Sequence, residues 1–472
     1  MTQRPQDPPQ PRSLAPTPDS ELAPTVDADG SRKWIYPDRR NGPHASQRRR
    51  LAMVLMMVYL AVPWISIGGQ PLLRFDVLGG RLCLAGSVLA LADASWLAFL
   101  LVGLGVALLF VTALKGRVWC GYACPQTVFV EWLIRPIEEL IEGSAHHRRI
   151  VDRGPWTLAK AVRKFVKHII FMGIAVVVAN VFLAYFIPPT VVLGWIGSSP
   201  SANPIPFAIM LGVVTAFYGD LAWFREQFCS FLCPYARFQA VVMDKWTPVV
   251  TYDHARGEPR GRRATGACID CGLCQRVCPT GIDIRNGLQL ECISCNRCSD
   301  ACDQVMGSLG RPTGLIRTVS QGELEHEQSS IWRRPRVWFY GLAMMVAFSV
   351  LAARVWLRDD LQMHFARQSG TAYSHMGDGR FANYFTLRAA NEGATAKSLH
   401  LMPLDAGVEI ICGACAAEVL APHESRSYLI VVILTADAAA QLTTVRLKHE
   451  DTNKVFDLPL LLPGPTAQGG GS

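Results

Sequence analysis

Five long apolar runs divide the chain, each close to the roughly 20 residues with which an α-helix crosses about 30 Å of hydrocarbon. They cover residues 51–69, 95–114, 168–191, 205–224 and 337–357. The pattern predicts five transmembrane helices. The first run is longer than the apolar core of a signal peptide, and no small-residue cleavage site follows it. We therefore interpret it as an uncleaved anchor.

Basic residues are distributed unevenly between these runs. Ten Lys and Arg lie between the second and third runs, whereas the first connection holds only Arg74 and Arg81 and the third holds none. Cytoplasmic connections carry the excess of Lys and Arg in membrane proteins. The distribution predicts a cytoplasmic N-terminus, cytoplasmic segments at 115–167 and 225–336, and an external segment after residue 357.

Composition separates the chain from ordinary soluble enzymes, because half of its 472 residues are hydrophobic. The net charge of +8 comes mainly from residues beside the ends of the apolar runs. Membrane topology and anionic lipid explain such charge, so no nucleic-acid binding is expected. No glycine-rich dinucleotide fingerprint follows a strand. Electrons for any redox chemistry are therefore expected from a partner protein or a quinol.

Patterning predicts five regions. Residues 1–45 are rich in Pro, Gln, Asp and Thr without apolar periodicity, which predicts a disordered cytoplasmic tail. Residues 46–250 are expected to hold four transmembrane helices, residues 251–330 a cytoplasmic cysteine-rich domain, and residues 331–360 the fifth helix. Residues 361–465 alternate in β-rich runs between turn residues, which predicts an all-β, immunoglobulin-like sandwich on the outer side.

Eight of the fifteen cysteines form two runs with one spacing, C-x2-C-x2-C-x3-C. In bacterial ferredoxins of this spacing, three cysteines of a run hold one four-iron cubane and the fourth reaches the other cubane. The sequence therefore predicts a bacterial-type 2[4Fe-4S] ferredoxin domain with crossed ligand sets. The first cluster would take Cys268, Cys271, Cys274 and Cys302, and the second would take Cys292, Cys295, Cys298 and Cys278.

Zinc and disulfides are the alternatives for these eight cysteines. Zinc ribbons use two C-x2-C pairs held well apart rather than two unbroken quartets. Disulfides are disfavoured on the cytoplasmic side, where the charge distribution places this region. One departure from the ferredoxin pattern is that Asp303 follows Cys302, whereas Pro279 follows Cys278. Iron-sulfur clusters are the favoured interpretation.

Four further cysteines lie where two apolar runs end. Cys120 and Cys124 precede Pro125, and Cys229 and Cys233 precede Pro234, so each pair forms a C-x3-C-P motif. On a continuing helix, residues four apart would place both sulfurs on one face, although proline can kink or end the helix there. Thiolates favour Cu(I), zinc or iron-sulfur centres. We favour copper and leave open a disulfide or a redox dithiol, and whether the thiols form one site or two.

A last pair, Cys412 and Cys415, lies within the β-rich region. Outside the cytoplasm a C-x2-C pair is a disulfide or a metal-handling dithiol, and no helix signal precedes it as in thioredoxins. We favour a structural role for this pair.

The chain resembles the FixG/CcoG/RdxA family of membrane accessory proteins for cbb3-type cytochrome c oxidase. The resemblance rests on "WCGYACPQT", "CSFLCPYARFQ", the stretch from "CIDCGLCQRVCPTG" to "CISCNRCSDACD", and the final β region, so it covers nearly the whole chain. It implies a polyferredoxin of the bacterial inner membrane that reduces Cu(II) to Cu(I) for oxidase assembly. The catalytic, copper-handling thiols would be Cys120, Cys124, Cys229 and Cys233.

Two other functions are kept beside the cupric reductase. One is a quinol-oxidising electron-transfer module similar to NapH, and the other is a non-catalytic assembly scaffold for the oxidase. The expected partners are the membrane, copper ions, and oxidase assembly proteins or a copper transporter. The sequence leaves open the electron donor, the side of copper entry, and whether the chain forms a homodimer.

Overall fold

The structure is a computed structural model. It describes residues 25–26, 29–67, 70–76, 81–84, 87–90, 94–324, 334–356, 361–368, 373–376, 379–391, 393, 395–412, 418–422, 424–450 and 453–461. The chain divides into two compact units. One comprises Met1–Ala85 and Leu91–Ala353, and the other comprises Gly86–Ala90 and Arg354–Ser472.

Helices dominate the chain before the C-terminal unit. In order they are α1 (Pro43–Ala61), α2 (Ala94–Lys115), α3 (Val118–Tyr122), α4 (Pro125–Phe129), α5 (Arg135–Glu142), α6 (Ala145–Arg153), α7 (Leu158–Ala184), α8 (Pro189–Gly197), α9 (Pro204–Gly219), α10 (Pro234–Val242), α11 (His254–Gly257), α12 (Leu273–Arg276), α13 (Arg297–Ser308), α14 (Gln321–Leu324) and α15 (Pro335–Trp356). Single 3₁₀ turns occupy Val62–Trp64 and Ile284–Asn286. Wider π-helical turns occupy Val130–Ile134, Asp220–Phe224 and Phe228–Leu232.

Short strands connect these helices. They are β1 (Ser66–Ile67), β2 (Gln70–Pro71), β3 (Leu73–Asp76), β4 (Arg81–Leu84), β5 (Ser87–Ala90), β6 (Val249–Tyr252) and β7 (Ile316–Val319). Strands β6 and β7 pair antiparallel with Val249 opposite Val319. This pair brings together the two ends of the cysteine-rich region, so that both cysteine runs lie on one closed loop of chain.

Four helices in the described part of the chain are long and apolar enough to cross a membrane. They are Leu97–Lys115, Leu158–Ala184, Pro204–Phe224 and Pro335–Ala353, and they correspond to the second to fifth predicted spans. Pro204–Phe224 packs along Leu158–Ala184, and Leu97–Lys115 packs on Pro335–Ala353, where Gly103 faces Phe348. The prediction of a membrane protein built on apolar helices is confirmed.

The first predicted span differs from the structure. Helix α1 ends at Ala61, a 3₁₀ turn continues to Trp64, and β1 begins at Ser66, so a helix through residue 69 is wrong. Pro63 has no N–H to donate and cannot continue an α-helix. The apolar part from Leu51 to Trp64 rises only about 21 Å at 1.5 Å per residue, short of the roughly 30 Å of hydrocarbon. The first predicted span therefore stays a prediction.

The N-terminal tail predicted for residues 1–45 also needs correction, because residues 29–42 form an extended segment with specific contacts. The Arg32 guanidinium donates to Glu226, and the Tyr36 hydroxyl bonds Asp152 over 2.6 Å. The backbone N–H of Asp38 donates to the Arg276 carbonyl over 2.9 Å. This segment contains "WIY" at 34–36. The average composition of the 45 residues conceals these aromatic and aliphatic side chains. Residues 1–24 lie outside the described residues.

The C-terminal unit is built mainly of antiparallel strands. They are β8 (Leu361–Arg367), β9 (Ser374–His375), β10 (Phe381–Asn391), β11 (Lys397–Ser398), β12 (Leu401–Pro403), β13 (Val408–Cys412), β14 (Val419–Leu420), β15 (Ser425–Leu434), β16 (Thr444–His449) and β17 (Val455–Pro459), with one helix, α16 (Ala436–Gln441). One sheet has the order β13-β15-β10-β8 with β9 on β10, and another has the order β12-β16-β17.

Alternating burial builds the core between these sheets. In β16 the side chains of Val445, Leu447 and His449 are buried while their neighbours are more exposed, as expected for a strand with one face toward solvent. Val445 and Leu447 join Leu387 and Ile430 of the first sheet in one apolar cluster. The predicted β domain is present, and its immunoglobulin-like classification stays a prediction.

The predicted Cys412 and Cys415 pair falls partly within the described part of this unit. Cys412 ends β13 and is disulfide-bonded. Cys415 lies outside the described residues.

Candidate redox site at the ends of the apolar helices

The first C-x3-C-P motif does not lie on one continuous helix. Helix α3 ends at Tyr122, Cys124 has an extended backbone (φ −59°, ψ 126°), and α4 begins at Pro125. A residue before proline is disfavoured in the α conformation, and the proline offers no N–H for the helix. The expected arrangement of Cys120 and Cys124 on one face of a continuing helix is therefore wrong, and the chain bends between them.

The second motif bends at the same position. Cys229 lies in the π-helical turn Phe228–Leu232, Cys233 is extended (φ −72°, ψ 109°), and α10 begins at Pro234. A second irregularity precedes the motif, since Arg225 has a left-handed backbone (φ 49°) directly after the apolar helix. In both copies of the motif, the proline after the second cysteine thus breaks the helix at the same position.

The four thiols of these motifs, which we call the exit thiols (Cys120, Cys124, Cys229 and Cys233), lie close to one another. Burial raises the pKa of Cys120 to about 11, and the charges of Cys124 and Cys233 act in the same direction. Burial also raises the pKa of Cys229, and all three other exit thiols contribute. The Sγ of Cys120 lies 3.6 Å from the side-chain amide of Gln239, which is fully buried.

Within the described residues, no group of three or more His, Cys, Asp and Glu side chains converges on a point that one metal ion could occupy. For a cubane this is expected, because each of its irons takes a single cysteine and the four ligands surround the cluster.

The ferredoxin region brings cysteines of both runs together. One cavity is lined by Cys274 and Cys278 of the first run and by Cys292, Cys295 and Cys298 of the second. Cys302 of the second run lies instead among the first. Burial raises the pKa of Cys302 to about 12, and the charges of Cys274, Cys268 and Cys271 add to the shift.

The two runs also share a backbone conformation. Asp270 and Gly272 flank Cys271 in the left-handed region (φ 56° and 64°), and Ser294 and Asn296 flank Cys295 in the same way (φ 53° and 56°). Left-handed residues turn successive N–H groups toward one concave side, which suits an anionic group such as a thiolate-ligated cluster. Gly and Asn tolerate this conformation at little cost. The dipeptides Cys271-Gly272 and Cys295-Asn296 therefore indicate this loop in the sequence, although the spacing of the cysteines does not.

The first exit motif lies directly against the second cysteine run. A Cβ atom added to Gly121 would be 2.5 Å from the Ile293 carbonyl oxygen and 3.2 Å from the Cys295 Cα. Because of this short distance, only glycine fits at position 121. The buried Arg117 guanidinium donates to the carbonyls of Leu290 and, over 3.3 Å, Cys292. The loop that carries the second run is thus held on the exit motif through backbone contacts.

A network of buried ion pairs holds the ferredoxin region on the helices. Glu131 pairs with Arg297 over 2.7 Å and also with Arg135, whose guanidinium donates to the Pro279 carbonyl over 2.9 Å. Further along the same face, Glu138 pairs with Arg225 over 2.7 Å. The sequence analysis missed this network. Its signal is the run of Glu and Arg at 131, 135, 138 and 142, a spacing that lines one helix face.

Apolar helices joined to two ferredoxin-type cysteine runs define the chain as a membrane-bound iron-sulfur protein of the electron-transfer class. A family model described as a 4Fe-4S dicluster domain matches residues 224–265 and 258–321, and one described as a 4Fe-4S binding domain matches residues 96–146. Both exit motifs fall within these matched segments.

The relatives specify the family. The nitrogen fixation protein FixG of Rhizobium meliloti is 33% identical over 410 residues, covering 76% of this chain and 77% of the relative. The protein RdxA of Cereibacter sphaeroides is 32% identical over 374 residues, covering 76% of this chain and 79% of the relative. The chain belongs to the FixG/RdxA family.

A more distant relative covers less of the chain. The ferredoxin-type protein NapH of Haemophilus influenzae is 26% identical over 282 residues, which are 54% of this chain and 84% of the relative. No solved structure matches the chain.

Proposed function

We propose that the chain is a membrane-bound cupric reductase that reduces Cu(II) to Cu(I) for the assembly of cbb3-type cytochrome c oxidase. The observation that carries this proposal is the contact between the first exit motif and the second cysteine run at Gly121. It joins a group of soft, half-buried thiols to the ligand loop of an electron carrier. The resemblance to the FixG/CcoG/RdxA family supplies copper as the acceptor.

The eight ferredoxin cysteines are proposed to hold two [4Fe-4S] clusters in crossed sets. Cys302 would complete the first set, and Cys278 the second, which agrees with the neighbours of each thiol. The left-handed residues beside Cys271 and Cys295 shape the loops to receive them. When bound, the clusters supply one-electron carriers of low potential. Of the eight thiols, Cys268, Cys274, Cys292 and Cys295 are buried and Cys271 is exposed.

Copper is proposed as the substrate at the exit thiols. Thiolates are soft ligands that suit Cu(I) better than Cu(II), so binding there favours the reduced product. Because ferredoxin-type clusters have low reduction potentials, electron flow toward thiol-bound copper is downhill. Each Cu(II) ion accepts one electron and leaves as Cu(I).

The location of this chemistry follows from the positive-inside rule. We place the chain in the bacterial inner membrane with the ferredoxin region and exit thiols at the cytoplasmic face and the β domain in the periplasm. Oxidase assembly proteins or a copper transporter would receive Cu(I). The electron donor would be a separate protein or a quinol.

A second candidate function is an electron-transfer module that passes electrons to a protein partner and handles no copper. The match to NapH, which covers 84% of that ferredoxin-type protein, favours it. In this case the exit thiols would be redox groups or ligands of a further cluster. Iron analysis tests for the further cluster, since two cubanes give about eight iron atoms per chain and a third would give about twelve.

A single-turnover experiment tests the proposed function. The reduced, detergent-solubilised protein is mixed with Cu(II) without oxygen, and cluster absorbance is followed together with Cu(I) formation. In Cys120→Ser and Cys229→Ser proteins, cluster reoxidation by Cu(II) is expected to slow about 10- to 100-fold, the range seen when metal-site groups are removed. The reason is that the ion loses a soft ligand beside the second cysteine run.

The matched control is Cys83→Ser, which removes a buried cysteine of β4 that belongs to neither motif. It is expected to react at the parent rate. Equal rates in the parent and both exit-thiol variants would refute the copper role of these thiols. If no Cu(I) forms in any protein, the electron-transfer module replaces the reductase.

A further inference from the structure

Arg48 is a fully buried cation on α1 with unused hydrogen-bonding groups. Its side chain is 0% exposed, and its Nε donates to the Gly121 carbonyl over 2.7 Å. Its Nη1 and Nη2 have no hydrogen-bond partner among the described residues. A buried polar group left unsatisfied costs about 1–3 kcal/mol, and more when it is charged. The guanidinium therefore lacks the acceptors that would justify its burial.

The surroundings of Arg48 point to the missing acceptor. Gly121, which anchors the Nε, packs against the backbone of Ile293, Ser294 and Cys295. Within the part of the chain that the structure describes, no carboxylate forms an ion pair with Arg48. Burial lowers the pKa of Arg48, and the Cys295 thiolate opposes that lowering more than any other neighbour. The Tyr122 and Trp132 rings lie 6.0 and 5.7 Å from the guanidinium carbon.

We infer that the Nη1 and Nη2 groups of Arg48 donate to sulfur atoms of the second cluster and raise its reduction potential. The inference rests on the cluster ligands given in the proposed function, and it is independent of copper. A positive charge and N–H donors at cluster sulfurs stabilise the reduced cluster, which is the more negative form. Arg48 is thus a positioning residue that sets the potential of the second cluster.

The same side chain lies between the two sites. Its Nε donates to the carbonyl of Gly121, and Gly121 itself packs against the backbone of Cys295. A movement of the exit motif would therefore carry the guanidinium with it and change the charge felt by the second cluster.

The test compares Arg48→Met with Arg48→Lys in the full-length, cluster-loaded protein. The reduction potential of each cluster is measured by a redox titration followed by electron paramagnetic resonance (EPR). In Arg48→Met, the second cluster is expected to lose about tenfold in its reduction equilibrium constant, equivalent to about 59 mV downward for one electron. The first cluster is expected to keep its potential. Arg48→Lys retains the charge and is expected to fall between the parent and Arg48→Met.

Arg49→Met is the matched control, since Arg49 is the exposed neighbour of Arg48 on the same helix. It is expected to leave both potentials unchanged. An unchanged second potential in iron-replete Arg48→Met, or an equal shift of both clusters, would overturn the inference. If Arg48→Met loses iron, Arg48→Lys decides: a shift confined to the second cluster supports the inference, and no shift overturns it.

The outcomes separate this inference from the proposed function, because the titration contains no copper. If the potential of the second cluster shifts in Arg48→Met but no copper is reduced, only the reductase proposal is refuted. If copper is reduced but both cluster potentials are unchanged in Arg48→Met, only the role of Arg48 is refuted.

Discussion

Replacing Cys302 with serine is expected to remove the first of the two clusters, although Cys302 belongs to the second cysteine run. The thiol lies among Cys268, Cys271 and Cys274, whose charges act on it directly. Serine is a poor substitute for a thiolate ligand of iron. The purified protein is expected to lose about four of about eight iron atoms and the EPR signal of the first cluster.

The reciprocal variant provides the matched comparison. Cys278→Ser is expected to lose the second cluster and keep the first, because Cys278 lines one cavity with Cys292, Cys295 and Cys298. The two variants should therefore have similar iron contents. Cys302→Ser should keep only the EPR signal of the second cluster, and Cys278→Ser only that of the first. Loss of the second cluster in Cys302→Ser would show that each run holds its own cluster and would contradict the crossed ligand sets.

Replacing Glu138 with glutamine is expected to destabilise the protein by about 3–5 kcal/mol, the cost of removing one partner from a buried ion pair. Glu138 is buried and pairs with Arg225 over 2.7 Å, Arg148 over 2.8 Å and Lys167 over 3.8 Å. Without its charge, Arg225 and Arg148 would lose their carboxylate partner while buried, whereas Lys167 would keep its 2.8 Å pair with Glu142. Denaturant unfolding in detergent, with the cluster absorbance as a second probe, measures the loss.

The matched control is the neighbouring Glu139→Gln. The Glu139 side chain is 42% exposed and makes one 3.3 Å ion pair with Arg39. Exposed pairs contribute about 0–1 kcal/mol, so this variant is expected to stay close to the parent. Equal effects of the two substitutions would show that the buried network does not stabilise the protein.

The Glu138 network also predicts a dependence of stability on pH. Burial alone would raise the pKa of Glu138, but Arg225, Lys167 and Arg148 lower it from an ordinary 4.5 to about 2. A carboxyl whose pKa is lower in the folded state stabilises the protein above its unfolded pKa. This contribution should therefore be complete above pH 4.5 and decrease as the pH falls toward 2. Glu138→Gln should show a smaller decrease over the same range.

Two parts of the site could be predicted from sequence because their chemistry depends on local spacing. The two cysteine runs need only a count of intervening residues, and the 4Fe-4S dicluster model matches the segment that holds them. The crossed ligand sets stay a prediction. The breaks at Pro125 and Pro234 were foreseen as an alternative to a continuing helix. They occur because proline acts on its own and the preceding residue, wherever it lies in the fold.

Other features depend on contacts between distant segments, which spacing does not encode. Glu131 and Arg297 are 166 residues apart in the chain and form one of the buried pairs that dock the ferredoxin region. Arg48 resembled a flanking charge of the first apolar run, since nothing local distinguishes it from exposed Arg49. The extended segment at 29–42 was missed because its few apolar anchors lie within a polar stretch.

The central claim is that electrons reach copper at the exit thiols from the second cluster. Freeze-quench EPR after mixing the reduced protein with Cu(II) tests it directly, because Cu(II) and both reduced clusters have separate signals. The account predicts that the Cu(II) signal and the reduced second cluster disappear together, with the first cluster oxidised afterwards. Oxidation of the first cluster before the second, or a Cu(II) signal that persists beside reduced clusters, would contradict the account.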